Sequence, residues 1–264
     1  MDFIKKLFIL NIKLLNIGGW IRTIQYFLFE HYKFNVVKRN KQLIESKKAN
    51  VCYICALGPS LKDVDLSKIK GDTLVVNHFY KMHELYPKFI PTYYLMYDSS
   101  FGSSHRYALE NALEIFSDKG TRFLLNSRFA KFLNETNYIY FISAFKGEFL
   151  GQEYSIDKVM PSFDNVVGAA IGMAMGMGYK RIVLLGCDFN SFASTVSNHC
   201  YTEKENQRRI ELWYELYRYS IVAYGHCTLQ YYAKKHGIEI VNSTKGSLID
   251  AYPFDIEEQL YEDL

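Results

Sequence analysis

From residue 51 onward, short apolar runs alternate with polar turns and with stretches of helical spacing. Val51-Cys-Tyr-Ile-Cys-Ala-Leu57 is apolar almost throughout, as expected of a strand covered on both faces. Similar runs recur at 73–76, 92–97, 121–125, 138–142, 182–185 and 238–241. Helical periodicity marks 105–116, 165–178 and 208–236, and a further element is expected over 61–69. Strands alternating with helices predict an α/β fold: an open, mostly parallel sheet with helices on both faces.

In such sheets, ligands bind at the carboxyl ends of the strands. Here four successive strands run into a polar group: Ser60, Asn77, Asp98 and Asn126. The first sits in Gly58-Pro59-Ser60, where glycine permits a sharp turn or close ligand approach, proline favours exit from the strand, and serine offers a hydroxyl and an N–H to an anion. Two later strands end similarly. Gly186-Cys187-Asp188-Phe189-Asn190 follows one, with Asp188 placed either to hold a ribose or sugar hydroxyl or to stabilise a turn. Asn242-Ser-Thr-Lys245-Gly246-Ser247 follows the other, with Lys245 able to meet a phosphate. Ser162, Asp164 or Asn165 can cap the helix that follows, which presents N–H groups to an anion. Gly168, Gly172 and Gly176 share one face of that helix, which predicts close packing against the sheet.

Residues 190–206 form a long polar stretch with His199-Cys200-Tyr201 in its middle. Long loops in compact domains tend to carry function, and a histidine there has little packing reason to be present. His226 lies within the last helix and is open to a core, surface or catalytic role. A histidine near its ordinary pKa can take a proton from an attacking hydroxyl.

The first 35 residues read differently. Apolar clusters alternate with isolated bases, and the longest apolar run falls short of the ~20 residues of a spanning helix. A basic amphipathic arm lying on anionic lipid is expected over 1–32, with a polar linker at 34–50; packing on the protein's own body or an oligomer contact would explain the same pattern. The domains expected are therefore 1–48, arm and linker, and 49–264, the α/β domain. An acidic helix or tail closes the chain at 254–264. Composition supports the division. Of 31 Lys and Arg and 28 Asp and Glu, the first 48 residues hold ten and three, leaving 21 against 25. A mildly acidic body with a basic N-terminus argues for a membrane surface and against a nucleic-acid partner. Five cysteines in 264 residues fit a reduced protein better than a disulfide scaffold. Cys52-x-x-Cys55 has metal-ligand spacing but lies in a strand without a second pair. The 22 Tyr and 19 Phe suit amphipathic surfaces such as those that meet carbohydrate. There is no Walker sequence and no G-x-G-x-x-G.

Four pieces, in order, resemble bacterial lipo-oligosaccharide sialyltransferases (glycosyltransferase family 42) and related surface-polysaccharide transferase-like domains. They are Gly58-Pro-Ser-Leu-Lys-Asp-Val-Asp65, Val76-Asn-His-Phe-Tyr80, Gly178-Tyr-Lys-Arg-Ile-Val-Leu-Leu-Gly-Cys-Asp-Phe189 and His199-Cys-Tyr201. Gly237-Ile-Glu-Ile-Val-Asn-Ser-Thr-Lys-Gly246 is similar to the polysaccharide-cluster relatives in particular. The resemblance implies a modified Rossmann-like (GT-A-like) fold. It also implies a CMP-activated acidic sugar as donor, no metal or other cofactor, inversion at the anomeric carbon, and a histidine base on a glycan or lipid-linked glycan acceptor. Carried over by position, Gly58, Pro59 and Ser60 would cradle the nucleotide phosphate, and Asn77 and Asp98 would meet ribose or donor sugar. Asn165 to Gly168 would hold phosphate or donor carboxylate. His199, or by helix spacing His226, would be the base. The family's Asn before Gly-Pro-Ser is Leu57 here, and Asn190 and Val196 stand near its leaving-phosphate tyrosines.

The expected function is thus a transferase of lipopolysaccharide, O-antigen or capsule synthesis. It is expected at the inner face of the bacterial cytoplasmic membrane, where self-association into a homo-oligomer is compatible with the sequence. Two other readings are a magnesium-dependent pterin pyrophosphokinase-like phosphotransferase and a non-catalytic subunit of a polysaccharide assembly complex.

Overall fold

The computed structural model describes residue 6 and residues 36–145, 153–161, 163–193, 199–201 and 210–255. The expected membrane arm apart from residue 6, residues 194–198 and 202–206 of the 190–206 loop, and most of the acidic tail lie outside them. Seven strands form one sheet: β1 (Val51–Cys55), β2 (Asp72–Val76), β3 (Tyr93–Met96), β4 (Arg122–Asn126), β5 (Ile139–Ile142), β8 (Arg181–Leu185) and β9 (Glu239–Asn242). A two-stranded ribbon pairs β6 (Ala144–Phe145) with β7 (Met160–Pro161). Among the described residues, four α-helices accompany them: α1 (Lys41–Glu45), α2 (Arg106–Phe116), α3 (Val166–Gly176) and α4 (Leu212–Lys235).

The sheet order is β5-β4-β3-β2-β1-β8-β9, and every pairing is parallel. The chain steps outward in one direction from β1 to β5, then returns through α3 to β8 on the other side of β1 and continues to β9. The order therefore reverses between β1 and β8. Right-handed crossovers place the connections of the two series on opposite faces. Three α-helices are too few to make every crossover. The element expected over 61–69 is instead two 3₁₀ turns, Pro59–Asp63 and Leu66–Lys68, and β2 reaches β3 through the 3₁₀ turn Phe79–Met82.

The seven strands are mostly apolar and buried on both faces, with Ile54, Leu74, Tyr93, Leu124 and Leu184 fully enclosed. Three polar residues are enclosed with them, Asp72, Thr73 and Asn242. Asp72 accepts hydrogen bonds from the backbone N–H of Lys48 (2.9 Å) and Ala49 (3.2 Å) and from the Tyr179 hydroxyl (2.7 Å). The Asp72 carboxylate thus ties the entry to β1 to the entry to β8. The described part of the expected linker is packed as well. Val37 and Leu43 are buried, and Asn40 donates from Nδ2 to the carbonyls of Phe141 (2.7 Å) and Ile156 (3.0 Å).

α3 is apolar on all sides and enclosed from Val167 to Gly176, as its position between sheet and loop requires. Its glycine face meets a different neighbour from the one expected. A Cβ on Gly172 would lie 2.2 Å from the Phe163 ring, and one on Gly176 would lie 2.9 Å from the Ile156 nitrogen. The small residues admit the segment around 155–163, not the sheet. α4 also departs from its pattern. Only its last turns are buried, through His226, Leu229, Gln230 and Ala233. Leu212, Trp213, Tyr214 and Leu216 of its first turns are exposed. Among the described residues, no helix is long and apolar enough to cross a membrane.

Candidate active site

Parallel pairing puts the carboxyl ends of all seven strands on one edge. Ser60, Asn77, Asp98, Asn126, Asp188 and Lys245 therefore share that rim. Neighbouring strands are about 4.8 Å apart, so Asp98 and Asn126 lie two and three strands along the rim from β1.

At the reversal point, the turn after β1 is clasped to the turn after β8. Gly58 donates its N–H to the Gly186 carbonyl at 2.8 Å. The Ser60 hydroxyl donates to Asp188 Oδ2 at 2.7 Å, and its backbone N–H reaches Oδ1 at 3.3 Å. A Cβ on Gly58 would lie 1.8 Å from Asp188 Oδ2 and 2.6 Å from the Gly186 carbonyl oxygen. Glycine is thus required by the close approach of this carboxylate, with no recourse to an unusual dihedral. Both Ser60 donors assigned by resemblance to a nucleotide phosphate are directed at Asp188, which is itself 6% exposed.

The turn after β9 is fastened to the same place. Thr244 Oγ1 accepts from the Cys187 N–H (3.0 Å), Ser247 Oγ donates to the Cys187 carbonyl (2.6 Å), and the Leu248 N–H donates to the Asp188 carbonyl (3.0 Å). Lys245 is exposed on this turn. Cys187 and Cys200 are buried, and burial pushes the Cys187 thiol far above its ordinary value and the Cys200 thiol up to about 12. They are packing groups, not nucleophiles.

His199 comes to the same crevice. The Cys200 N–H donates to the Leu57 carbonyl at 2.9 Å, extending past the end of β1. The Cys200 side chain is buried, with Sγ 3.3 Å from Met82 Sδ. His199, one residue before, is exposed and stacked on Tyr201, with ring centroids 5.1 Å apart and planes at 13°. The other histidine is unlike it. His226 is 1% exposed, and burial lowers its pKa from 6.5 to about 4.

The hydrogen bonds of His226 fix its tautomer. The Gly168 N–H donates to Asn165 Oδ1 at 2.7 Å, so Asn165 presents its NH₂ group to His226 Nε2 at 3.3 Å. Nε2 must accept, and Nδ1 therefore donates to the Tyr252 hydroxyl oxygen at 2.9 Å. The chain Gly168–Asn165–His226–Tyr252 joins the start of α3 to α4 and the C-terminal segment. Phe189 connects this group to the clasp: it follows Asp188 with φ 57° and lies 6.0 Å from the His226 ring. A bulky residue in left-handed backbone is strained and occurs where surrounding structure enforces it.

Asn77, after β2, also has positive φ (50°), which asparagine tolerates. Its carbonyl accepts from the Tyr94 hydroxyl (2.7 Å), while Oδ1 is buried without a hydrogen-bond partner among the described residues. Asp98 is exposed and caps the turn Ser99–Gly102 by accepting from Ser100 N–H at 2.8 Å. Asn126 uses both ends locally, donating to the Tyr97 carbonyl (2.8 Å) and accepting from Arg128 N–H (3.0 Å). Asn190 accepts at its carbonyl from Ala193 N–H (3.0 Å). Sequence reasoning missed Tyr252 and the left-handed Phe189. Tyr252 carries no motif, and nothing in a residue name announces its φ. Among the described residues, no three His, Cys, Asp or Glu side chains are grouped to hold a metal.

No family model matches the sequence, and no curated protein matches it. Solved structures with a similar arrangement include the monofunctional α-2,3-sialyltransferase Cst-I of Campylobacter jejuni. It is 12% identical with a TM-score of 0.48, covering 80% of this chain and 82% of that one. The sialyltransferase CstII of the same organism, in complex with the substrate analogue CMP-3FNeuAc, is 15% identical at TM-score 0.47, covering 77% and 84%. CstII in complex with a trisaccharide acceptor and CMP is 17% identical at TM-score 0.44, covering 77% and 84%. These enzymes are of the kind that the ordered sequence pieces resemble.

Proposed function

We propose that this chain is a metal-independent glycosyltransferase that takes a CMP-activated acidic sugar and serves cell-surface polysaccharide synthesis. One observation carries the reading. At the point where the strand order reverses, the Gly58–Ser60 turn is clasped to Asp188, and His199 is brought to the end of the same strand. This is where open α/β sheets bind nucleotides. The ordered resemblance supplies the substrate class.

The geometry adjusts how the donor sits. Asp188 takes both Ser60 donors, and a carboxylate repels a phosphate. The Ser60–Asp188 pair therefore suits ribose hydroxyls, which donate to a carboxylate. The donor phosphate or carboxylate belongs at the start of α3, where helix N–H groups favour an anion, with Lys245 on the turn after β9 as a further positive charge on the rim. Asn77 Oδ1, an acceptor without a partner among the described residues, is available to a donor hydroxyl or amine.

His199 is the base in this scheme. An acceptor hydroxyl gives its proton to the imidazole, and its oxygen forms the new bond to the anomeric carbon. The bond from that carbon to the phosphate oxygen breaks, and its electron pair leaves on CMP. Attack opposite the leaving group inverts the centre. His226, buried and neutral, holds Asn165 and the start of α3 in place. The N-terminal arm would keep the enzyme at an anionic membrane face, and deleting residues 1–32 should release it from membranes.

The test is CMP release from CMP-N-acetylneuraminate or CMP-3-deoxy-octulosonate with a glycan acceptor, followed by chromatography in EDTA. Release should survive EDTA and fall by about 10²–10⁴-fold in His199→Ala, the usual contribution of a general base. Release retained in EDTA would count against the magnesium-dependent phosphotransferase, and release that vanishes in EDTA would overturn the metal-independent assignment. Unchanged turnover in His199→Ala would remove it as the base.

A further inference from the structure

A second group of residues gathers beside His199 over the ends of β1, β2 and β3. His78 is at its centre. Ring centroids lie 5.3 Å away for Phe101, 6.0 Å for His105, 6.1 Å for Tyr80, 6.2 Å for Tyr201 and 6.3 Å for Tyr107. Tyr201 carries His199 on one side and Lys81 Nζ at 4.2 Å from its centroid. Exposure is graded. Phe101 and Tyr201 are buried, His78 and Tyr80 are half-buried, and His105, His199 and Tyr107 are exposed, Tyr107 at 49%. The set comes from three separate segments, 78–81, 101–107 and 199–201. Side chains that merely finished the core would have no reason to continue outward as a chain of rings. From His199 the steps run 5.1 Å to Tyr201, 6.2 Å to His78 and 6.3 Å to Tyr107.

We propose that this group is the acceptor platform, and that it binds a glycan of at least two sugar rings, one at His199 and the next on Tyr107 and His105. The inference rests on the glycosyltransferase reading. Aromatic and imidazole rings present a flat apolar body with a polar tip. That suits a pyranose, whose C–H face is apolar and whose edge carries hydroxyls. A floor of enclosed aromatics with a few polar groups at its margin is the usual make-up of a small-molecule site. The direction of the ring chain gives the orientation. The attacking hydroxyl lies at the His199 end, and the remainder of the glycan runs towards the start of α2. The Ser60–Asp188 clasp is left to the nucleotide.

The platform is tested with the full chain by saturation-transfer NMR, using lactose, cellobiose and N,N′-diacetylchitobiose as probes, each with CMP present. At least one disaccharide should receive saturation in the wild-type chain. Its affinity should fall about tenfold in Tyr107→Ala, a loss of roughly 1.4 kcal/mol, and recover in Tyr107→Phe, which keeps the ring. His105→Ala should weaken it in the same direction. CMP binding should be unchanged in all three variants. Disaccharide binding that is absent in the wild type, or indifferent to Tyr107→Ala, overturns the platform. Failure of CMP to bind the wild type would instead strike the glycosyltransferase reading, so the two failures are told apart.

Discussion

At the scale of single residues, the clasp depends on side chains that could hardly be exchanged. Gly58→Ala would drive a methyl group into Asp188 and the Gly186 backbone, and backbone cannot step aside as a side-chain tip can. A loss of about 1–3 kcal/mol in denaturant unfolding, the usual cost of overpacking, is expected. Ser60→Ala leaves the nearly buried Asp188 carboxylate without its 2.7 Å donor. About 1.5–3 kcal/mol should go with that charged hydrogen bond. His226 gives a pH signature. Its folded pKa is depressed from 6.5 to about 4, so between those values the unfolded chain binds the extra proton. Stability should therefore fall as pH drops from about 6.5 to 4, by about 3 kcal/mol for this group. The imidazole signals in NMR should titrate near 4 for His226. A midpoint above 6 would contradict its enclosure. Gly58, Ser60 and Asp188 were each legible as strand-end polar residues. Their mutual contact was not, because nothing in the local sequence says which strand ends become neighbours.

At the scale of elements, the start of α3 is held by the hydrogen bonds that run through Asn165 to His226. Asn165 both caps the helix and donates to His226, so Asn165→Ala should cost more than the ~1 kcal/mol of a lost cap alone. Asn165→Asp keeps the cap and puts a carboxylate at His226 Nε2. An opposite charge favours the protonated ring, and the His226 titration should move upward from about 4. A titration left in place would show that the contact is incidental. The start of α3 and its glycine face were legible from residues 165–176, and its cap only as one of Ser162, Asp164 and Asn165. The partner of that face was not. Small residues announce close approach without naming what approaches, and here it is Phe163. The strands were legible to within a residue or two because continuous apolar runs mark strands covered on both faces. The crossovers were not, since short 3₁₀ turns lack the periodicity that marks a longer helix.

At the scale of the whole molecule, one geometric fact organises the rest. The strand order reverses between β1 and β8, and the turns after those strands carry Gly58, Ser60 and Asp188. Alternating strands and helices made a parallel sheet with a polar rim foreseeable. The place of reversal depends on strand order, which is set by long-range packing. The fold also separates residues that look equivalent in sequence. Ser60 and Asp188 meet at the crevice, whereas Asn126 sits three strands away with both ends of its amide engaged in its own turn. His199 and His226, alternatives in the sequence, divide into an exposed ring beside the crevice and an enclosed one behind it.

The central claim is that this crevice holds a cytidine nucleotide, and thermal unfolding with CMP, CDP, UDP and GDP tests it most directly. A ligand bound only by the folded chain stabilises it by about 2.7 kcal/mol at a hundred times its Kd. The account predicts a saturable rise in Tm with CMP that exceeds the rise with UDP or GDP and disappears in Gly58→Ala. No stabilisation by either cytidine nucleotide would contradict it.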